Sequence, residues 1–116
     1  MTILEIFEKV NLVTPIEQRR FFNYYEDSVN ELLSMYGDFV LDSAVIDEKG
    51  SFSLPKSLSD KGVLLPLYHN AVVDNILFLA GQGETYKSEF IRKAQATYLK
   101  YWNDNAKGKR VKRGKW

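Results

Sequence analysis

A long run of apolar side chains at helical spacing, between residues 15 and 36, constrains the fold more than any other feature. Thr14, Pro15 and Glu17 combine an N-cap, a proline at the first helical position and a capping box. Gly37 is a natural C-cap. The pattern predicts a helix over residues 15–36, built on a stripe of Ile16, Phe21, Phe22, Tyr25, Val29, Leu32, Leu33 and Tyr36.

Three further segments have helical patterns. Thr2 and Glu5 have the spacing of a capping box, and the apolar residues that follow predict a first helix over residues 3–11. The segment 66–80 opens with a proline and is apolar around most of its circumference, which is typical of a central helix. Two glycines then break the pattern, and a fourth helix is predicted over residues 85–105, with a stripe of Tyr86, Phe90, Ile91, Ala94, Tyr98, Leu99, Tyr101 and Trp102.

The segment between the second and third helices has a different pattern. Residues 44–46 are β-prone, residues 47–50 are typical of a turn, and residues 51–54 alternate polar and apolar side chains. We therefore predict a small hairpin over residues 43–54, which must pack on the helices because an isolated hairpin is marginally stable. The expected fold is mainly α: a four-helix domain with a small β-hairpin inserted between helices 2 and 3.

Charge is segregated along the chain. The last ten residues carry six basic side chains and no acidic one, whereas residues 1–106 carry ten basic and fifteen acidic side chains, a net charge of −5. This predicts a helical domain over residues 1–106 and a flexible basic arm over residues 107–116, and such arms usually dock on a partner. The residues expected to bind the partner are Lys107, Lys109, Arg110, Val111, Lys112, Arg113, Lys115 and Trp116.

Length and composition set broad limits. A chain of 116 residues with 45% hydrophobic side chains fits one domain with a core. The absence of cysteine excludes disulfides and thiolate zinc sites. The most apolar stretch, residues 63–80, is too polar for a membrane span, and the N-terminus lacks the basic region of a signal peptide. We therefore expect a soluble intracellular protein.

Residues suited to catalysis are few. His69 is the single histidine, and Asp74 lies five residues on, a poor helical alignment for a catalytic pair, so a structural histidine is the better interpretation. Residues 81–84 resemble a glycine-rich phosphate loop but lack a preceding strand and a Lys-Ser/Thr pair. Glu26 and Asp27 are better explained as solvated residues. No enzyme activity, cofactor or metal is expected, and no calcium-loop spacing is found among Asp42, Asp47, Glu48 and Asp60.

Basic and aromatic residues alternate over residues 19–25. Such side chains can stack on single-stranded nucleic acid, but on an amphipathic helix the aromatic residues more simply form core. Arg20 and Tyr24 are the members most suited to an interface, where both residue types are enriched. Phe52, in the predicted hairpin, is a further candidate interface residue.

The order of these elements resembles the head–tail connector, or adaptor, proteins of tailed bacteriophages and prophages. The resemblance covers about residues 2–105 and is a pattern of helices and apolar positions with no catalytic or ligand motif. It is carried by the end of the aromatic helix, the proline-led helix and the last helix, namely residues 31–37, 65–77, 86–90 and 98–102.

The resemblance implies a structural virion-assembly protein. Members of this family form a ring, commonly of twelve or thirteen copies, beneath the portal protein. The ring extends the DNA channel and provides a platform for a stopper or tail-completion protein. The implied location is the head–tail junction of the virion, and the host cytoplasm during assembly, where the free chain could be a monomer. In such proteins a terminal segment reaches the portal and the β-excursion often faces a neighbouring ring component.

The basic arm matches no motif of that family, so its partner stays open. In the connector interpretation the acidic body suits a channel that must not grip DNA, and the arm docks on an acidic protein surface. Alternatively, the chain is a small nucleic-acid-binding protein that uses the basic C-terminal tail, with a steep salt dependence. The acidic body disfavours this alternative, because dedicated binders spread positive charge over a folded face. A regulatory interaction module is a third interpretation.

Overall fold

The computed structural model describes residues 2–42, 46–49 and 51–113, with side chains described as far as Lys100 except that of Asp38. In this part of the chain the fold is mainly helical and contains no β-sheet, which confirms the predicted class. The elements are α1 (Ile3–Asn11), α2 (Gln18–Tyr36), a short 3₁₀ helix (Gly37–Val40), α3 (Pro66–Leu79) and α4 (Glu84–Arg113).

Helix α1 begins at the predicted capping box. The Glu5 backbone N–H donates to Thr2 Oγ1 at 3.4 Å, and the Thr2 backbone N–H donates to Glu5 Oε1 at 3.1 Å. These bonds satisfy two backbone donors that the first turn of a helix leaves without partners. The box thereby fixes the start of a helix that buries Ile3, Ile6 and Val10.

Helix α2 begins later than predicted, at Gln18 rather than at Pro15. The Asn11 side chain is the physical reason: its amide donates to the Phe7 carbonyl at 2.7 Å, and its Oδ1 accepts the Ile16 N–H at 3.1 Å. The connection between α1 and α2 is therefore held by a side chain, and Glu17 caps α2 in an extended conformation without a side-chain hydrogen bond.

The C-terminal end of α2 agrees with the prediction. Gly37 ends the helix with a φ of 71°, a left-handed conformation that glycine adopts without steric cost. A 3₁₀ turn then leads the chain to Leu41, which forms an isolated antiparallel bridge with Leu64. This bridge places the loop before α3 beside the end of α2.

Helix α3 is the central helix, as its apolar circumference predicts. It begins with Pro66 in the first turn, ends one residue before the predicted Ala80, and packs against α1, α2 and α4. Residues all around it are buried: Tyr68, His69, Ala71, Val72, Asp74, Asn75, Ile76 and Leu77. The core side chains of the other helices surround it, chiefly Phe21, Tyr25 and Leu32 of α2 and Phe90 and Ala94 of α4.

The predicted hairpin over residues 43–54 is not seen. Its described residues, 46–49 and 51–54, contain no strand, while residues 43–45 and 50 lie outside the described part. Asp47 instead organises a local turn, because its carboxylate accepts the backbone N–H groups of Lys49 and Ser51 at 2.9 and 2.8 Å. Side-chain bonds of this kind compete with strand pairing. Phe52 packs against the helical core and thereby holds this loop against the helices.

Helix α4 continues past its predicted end at Asn105 to Arg113, so most of the segment expected to be a flexible arm is helical. Lys, Arg and Ala are good helix formers and the segment contains no proline, so its composition permits the continuation despite Gly108. At about 1.5 Å per residue, the helix is about 45 Å long. Among the described residues, no helix has both the length and the hydrophobicity required to cross a membrane.

Candidate protein-interaction surface

The basic residues expected to bind a partner lie at the end of α4. Lys107, Lys109, Arg110, Val111, Lys112 and Arg113 belong to this helix, and their side chains are outside the described part. Lys115 and Trp116 lie outside the described residues altogether. The structure thus presents the backbone of the basic segment as a continuation of a helix whose N-terminal part is anchored in the core by Phe90 and Ala94.

The aromatic run of α2 is mostly core, as predicted. Phe21 and Tyr25 are buried, and Tyr24 is half-buried against the core cluster. Arg20 is exposed, donates from Nη2 to the Tyr24 hydroxyl at 2.7 Å and lies 5.6 Å from the centre of the Tyr24 ring. Phe52 is half-buried against the same core. Of the three candidate interface residues, Arg20 is therefore the most accessible.

His69 is buried and makes hydrogen bonds to other groups of the protein. Its Nε2 lies 2.7 Å from the Tyr25 hydroxyl and accepts the Leu64 N–H at 3.4 Å, while the Val63 N–H donates to the Tyr25 oxygen at 3.1 Å. If Nε2 accepts the Leu64 N–H, then Tyr25 donates to Nε2 and the proton of the neutral ring is assigned to Nδ1, which is buried without a hydrogen-bond partner in the described part of the chain. Burial lowers the pKa of His69 to about 4, so the ring is neutral at physiological pH.

The loop before α3 approaches this histidine very closely. A Cβ atom placed on Gly62 would overlap Cε1 and Nε2 of the His69 ring. Glycine is thus required at this position by close approach rather than by a special backbone angle. The contact brings the neighbouring Val63 and Leu64 amides within reach of the Tyr25–His69 pair, which anchors the loop to α2 and α3.

A second polar network joins α2, α3 and α4. Asn75 donates to Ser28 Oγ at 2.8 Å and accepts from Lys87 Nζ at 3.1 Å, and Lys87 also pairs with Glu31. The Lys87 ammonium lies 4.9 Å from the centre of the Phe90 ring, within cation–π range. Asn75 is buried, so these bonds satisfy polar groups that would otherwise be costly to bury.

An open groove of about 480 Å³ lies between α1, α3 and α4. Lys9 of α1 donates to Asn70 Oδ1 of α3 at 3.4 Å, and Lys93 of α4 forms an ion pair with Asp74 Oδ2 at 2.7 Å. That ion pair is close but lacks the angular geometry of a hydrogen bond. The groove is lined by Lys9, Leu67, Asn70, Val73, Asp74, Arg92, Lys93, Ala96 and Thr97.

Sequence reasoning missed this groove, because its walls come from segments more than sixty residues apart. The sequence does place Arg92 and Lys93 beside the apolar stripe of the fourth helix, and it places Lys9 at the end of the first. Only the packing of α1 and α4 on the same side of α3 brings these cations together.

Asp74, considered in the sequence as a partner of His69, pairs with Lys93 instead. In the described ranges, no group of three or more His, Asp or Glu side chains is placed to hold a metal ion. Comparison of the chain with protein-family models, with curated proteins and with solved structures found no match.

Proposed function

We propose that the chain is a structural virion-assembly protein, a head–tail connector that forms a ring at the portal vertex and extends the DNA channel. One observation carries the proposal: a body with a net charge of −5 is joined to a basic segment at the end of its longest helix. A separate basic element of this kind serves attachment better than catalysis.

The position of that segment along α4 supports a role in attachment. The α4 side chains that pack in or against the core are Tyr86, Phe90, Ala94 and Tyr98. Arg113 lies fifteen positions beyond Tyr98, which is about 22 Å along a helix axis. The basic segment therefore follows the last described core contact of the helix, and in this proposal it is the part that contacts a neighbouring protein.

The acidic body supports the channel part of the proposal. Like charges repel, so a ring of acidic subunits would let DNA pass without binding it. The proposal also takes up the resemblance of residues 2–105 to connector proteins, which rests on the order of helices and apolar positions in the sequence. In this proposal the partners are the portal protein and a stopper or tail-completion protein, and the location is the head–tail junction.

The environment of His69 supports a non-catalytic role. The ring is 1% exposed, and its Nε2 is bonded to Tyr25 and to the Leu64 amide. A general base must reach the proton that it abstracts, and this histidine has no access to a substrate at the surface.

A small nucleic-acid-binding protein remains the second candidate, favoured by the helical continuation of α4 to Arg113. A basic helix can lie in the major groove of duplex DNA and neutralise phosphates on both sides. The acidic body weighs against this role, since repulsion would confine binding to the end of one helix.

The decisive experiment is co-expression with a candidate phage portal protein, followed by electron microscopy of the purified complex. We expect a ring of this chain beneath the portal, and loss of the ring when the six basic residues of the last ten positions are replaced by glutamine. A control that removes three positive charges from the body replaces the loop lysines Lys49, Lys56 and Lys61 by glutamine and should leave the ring intact. A full-length chain that does not bind the portal would refute the connector proposal.

A further inference from the structure

We propose that the groove between α1, α3 and α4 binds an acidic, partly apolar peptide segment of a partner protein. The groove is formed by the folded helices and is lined by residues up to Thr97, so it is separate from the basic end of α4. The proposal therefore holds whether or not the chain is a connector.

The shape of the groove suits a peptide rather than a small molecule. It is an open trough between three helices, whereas small ligands are usually enclosed over most of their surface. Its apolar lining consists of Leu67, Val73 and Ala96, and Leu67 is 50% exposed. Exposed apolar surface within a groove can accept alternate side chains of an extended or helical segment.

The charge of the groove selects an acidic partner. Three of its lining residues are cations, Lys9, Arg92 and Lys93, and Asp74 is the single carboxylate among them. Asp74 pairs with Lys93, and Arg92 pairs with Glu89 on the same helix, so these three cations and two carboxylates leave one net positive charge. The groove is therefore a positive region on a body whose net charge is −5.

Lys9 is available to a ligand directly, and Arg92 becomes available by exchange of its present carboxylate partner, Glu89. Lys9 donates a hydrogen bond to the neutral amide oxygen of Asn70 at 3.4 Å, so this contact does not neutralise its charge. Arg92 binds Glu89 on its own helix, with 65% of its side chain exposed. An exposed pair of this kind contributes little and exchanges readily for a better carboxylate partner.

The same residues disfavour nucleic acid as the occupant. A phosphate backbone would pass beside the Asp74 carboxylate and over apolar side chains that offer it no contacts, and the acidic body would repel it. A peptide matches both properties of the groove, because glutamate or aspartate side chains can reach Lys9 and Arg92 while leucine-like side chains cover Leu67.

The test is an NMR titration of the full-length, ¹⁵N-labelled chain with a synthetic peptide of glutamate and leucine residues. We expect amide shifts confined to α1, α3 and the part of α4 that lines the groove. A peptide with glutamine in place of glutamate should bind at least tenfold more weakly. The Lys9→Glu, Arg92→Glu double variant should also lose at least tenfold in affinity.

The matched control carries the same charge change elsewhere, in Arg19→Glu and Lys56→Glu, and should bind the peptide within twofold of the parent chain. Lys93 is left unchanged because its ion pair with Asp74 belongs to the fold. If the charge-reversed groove variant has a collapsed amide spectrum, the Lys9→Gln, Arg92→Gln variant replaces it, with the same loss expected.

Three results would overturn the proposal. The first is an absence of groove shifts at millimolar acidic peptide. The second is equal affinity of the groove variant and the control variant. The third is saturation of the same amides by a short oligodeoxythymidine at lower concentration than the peptide, which would identify the groove as a nucleic-acid site.

Discussion

The Tyr25 hydroxyl lies 2.7 Å from His69 Nε2, and the two rings are stacked with their centres 5.8 Å apart. This contact joins α2 to α3. It also holds the loop before α3, since the Val63 amide donates to the same hydroxyl at 3.1 Å. The pair thus links three parts of the chain that are distant in sequence.

Removal of the Tyr25 hydroxyl tests this linkage. Tyr25→Phe leaves both His69 Nε2 and the buried Val63 amide without the oxygen that they contact. Because stranded buried polar groups are costly, we expect the free energy of unfolding to fall by about 1–3 kcal/mol. Urea unfolding measures this. Tyr24→Phe is the matched control, and its loss should stay within about 0.5 kcal/mol because the bond to Arg20 is exposed.

The buried histidine predicts a pH dependence. In the folded chain burial holds the pKa of His69 near 4, whereas in the unfolded chain it is near 6.5, so the unfolded state binds more protons between these values. The contribution of the neutral His69 ring to the free energy of unfolding is therefore fully present above about pH 6.5 and is lost as the pH falls towards 4. By linkage we expect a loss of about 2 kcal/mol between pH 7 and pH 5, measured by urea unfolding.

The single histidine allows a direct check of that pKa. The Cε1–H resonance of His69 is the only one of its kind in the chain, so its NMR titration is unambiguous. We expect a folded chain at pH 5.5 to show the neutral shift. Titration near pH 6.5 in the folded state, or equal stability at pH 7 and pH 5, would contradict the assignment of a buried neutral ring.

The close approach of Gly62 to the His69 ring predicts that substitutions at these two positions affect stability in a coupled way. Gly62→Ala would place a methyl group against Cε1 and Nε2 of His69, so the loop or the ring must move. We expect a loss of about 1–3 kcal/mol, the usual cost of overpacking. In a His69→Ala background the same substitution should cost less than about 0.5 kcal/mol. Similar costs in both backgrounds would show that the two residues are not coupled.

The sequence predicted those elements whose signals are local. The capping box of Thr2 and Glu5 and the apolar circumference of α3 depend on residues within a few positions of one another, and both predictions are confirmed. The predicted start of α2 was wrong because the Asn11 side chain accepts a hydrogen bond from the Ile16 amide. Capping patterns cannot reveal this competition, since it depends on how the preceding helix enters the turn.

Features that depend on tertiary packing were not predictable. The apolar residues of the predicted hairpin, such as Phe52, pack on helices rather than across a strand pair, and alternation alone does not distinguish these outcomes. The groove requires α1 and α4 to pack on α3 so that Lys9 and Arg92 line the same cavity, which no local pattern encodes. The structural role of His69 was predicted, because a lone histidine on an apolar helix is usually satisfied within the core.

Asn75 is the centre of the second network and should be sensitive to truncation. Asn75→Ala removes the donor to Ser28 Oγ and the acceptor of Lys87, both at buried or half-buried positions. We expect a loss of about 1–3 kcal/mol in urea unfolding. Asn30→Ala, at an exposed position of α2, is the matched control and should change stability by less than about 0.5 kcal/mol. Equal losses of stability in the Asn75→Ala and Asn30→Ala variants would mean that the hydrogen bonds of Asn75 do not stabilise the fold.

Removal of the basic end of α4 should leave the rest of the fold intact. The described core contacts of α4 end at Tyr98, so a chain of residues 1–106 should keep the unfolding midpoint of the full chain and lose only the helical signal of residues 107–113. Binding to double-stranded DNA across a salt series then distinguishes the two functional proposals. In the connector proposal we expect weak binding at physiological salt for both chains. Tight binding of the full chain alone, falling steeply with salt, would instead establish the basic segment as a nucleic-acid-binding element.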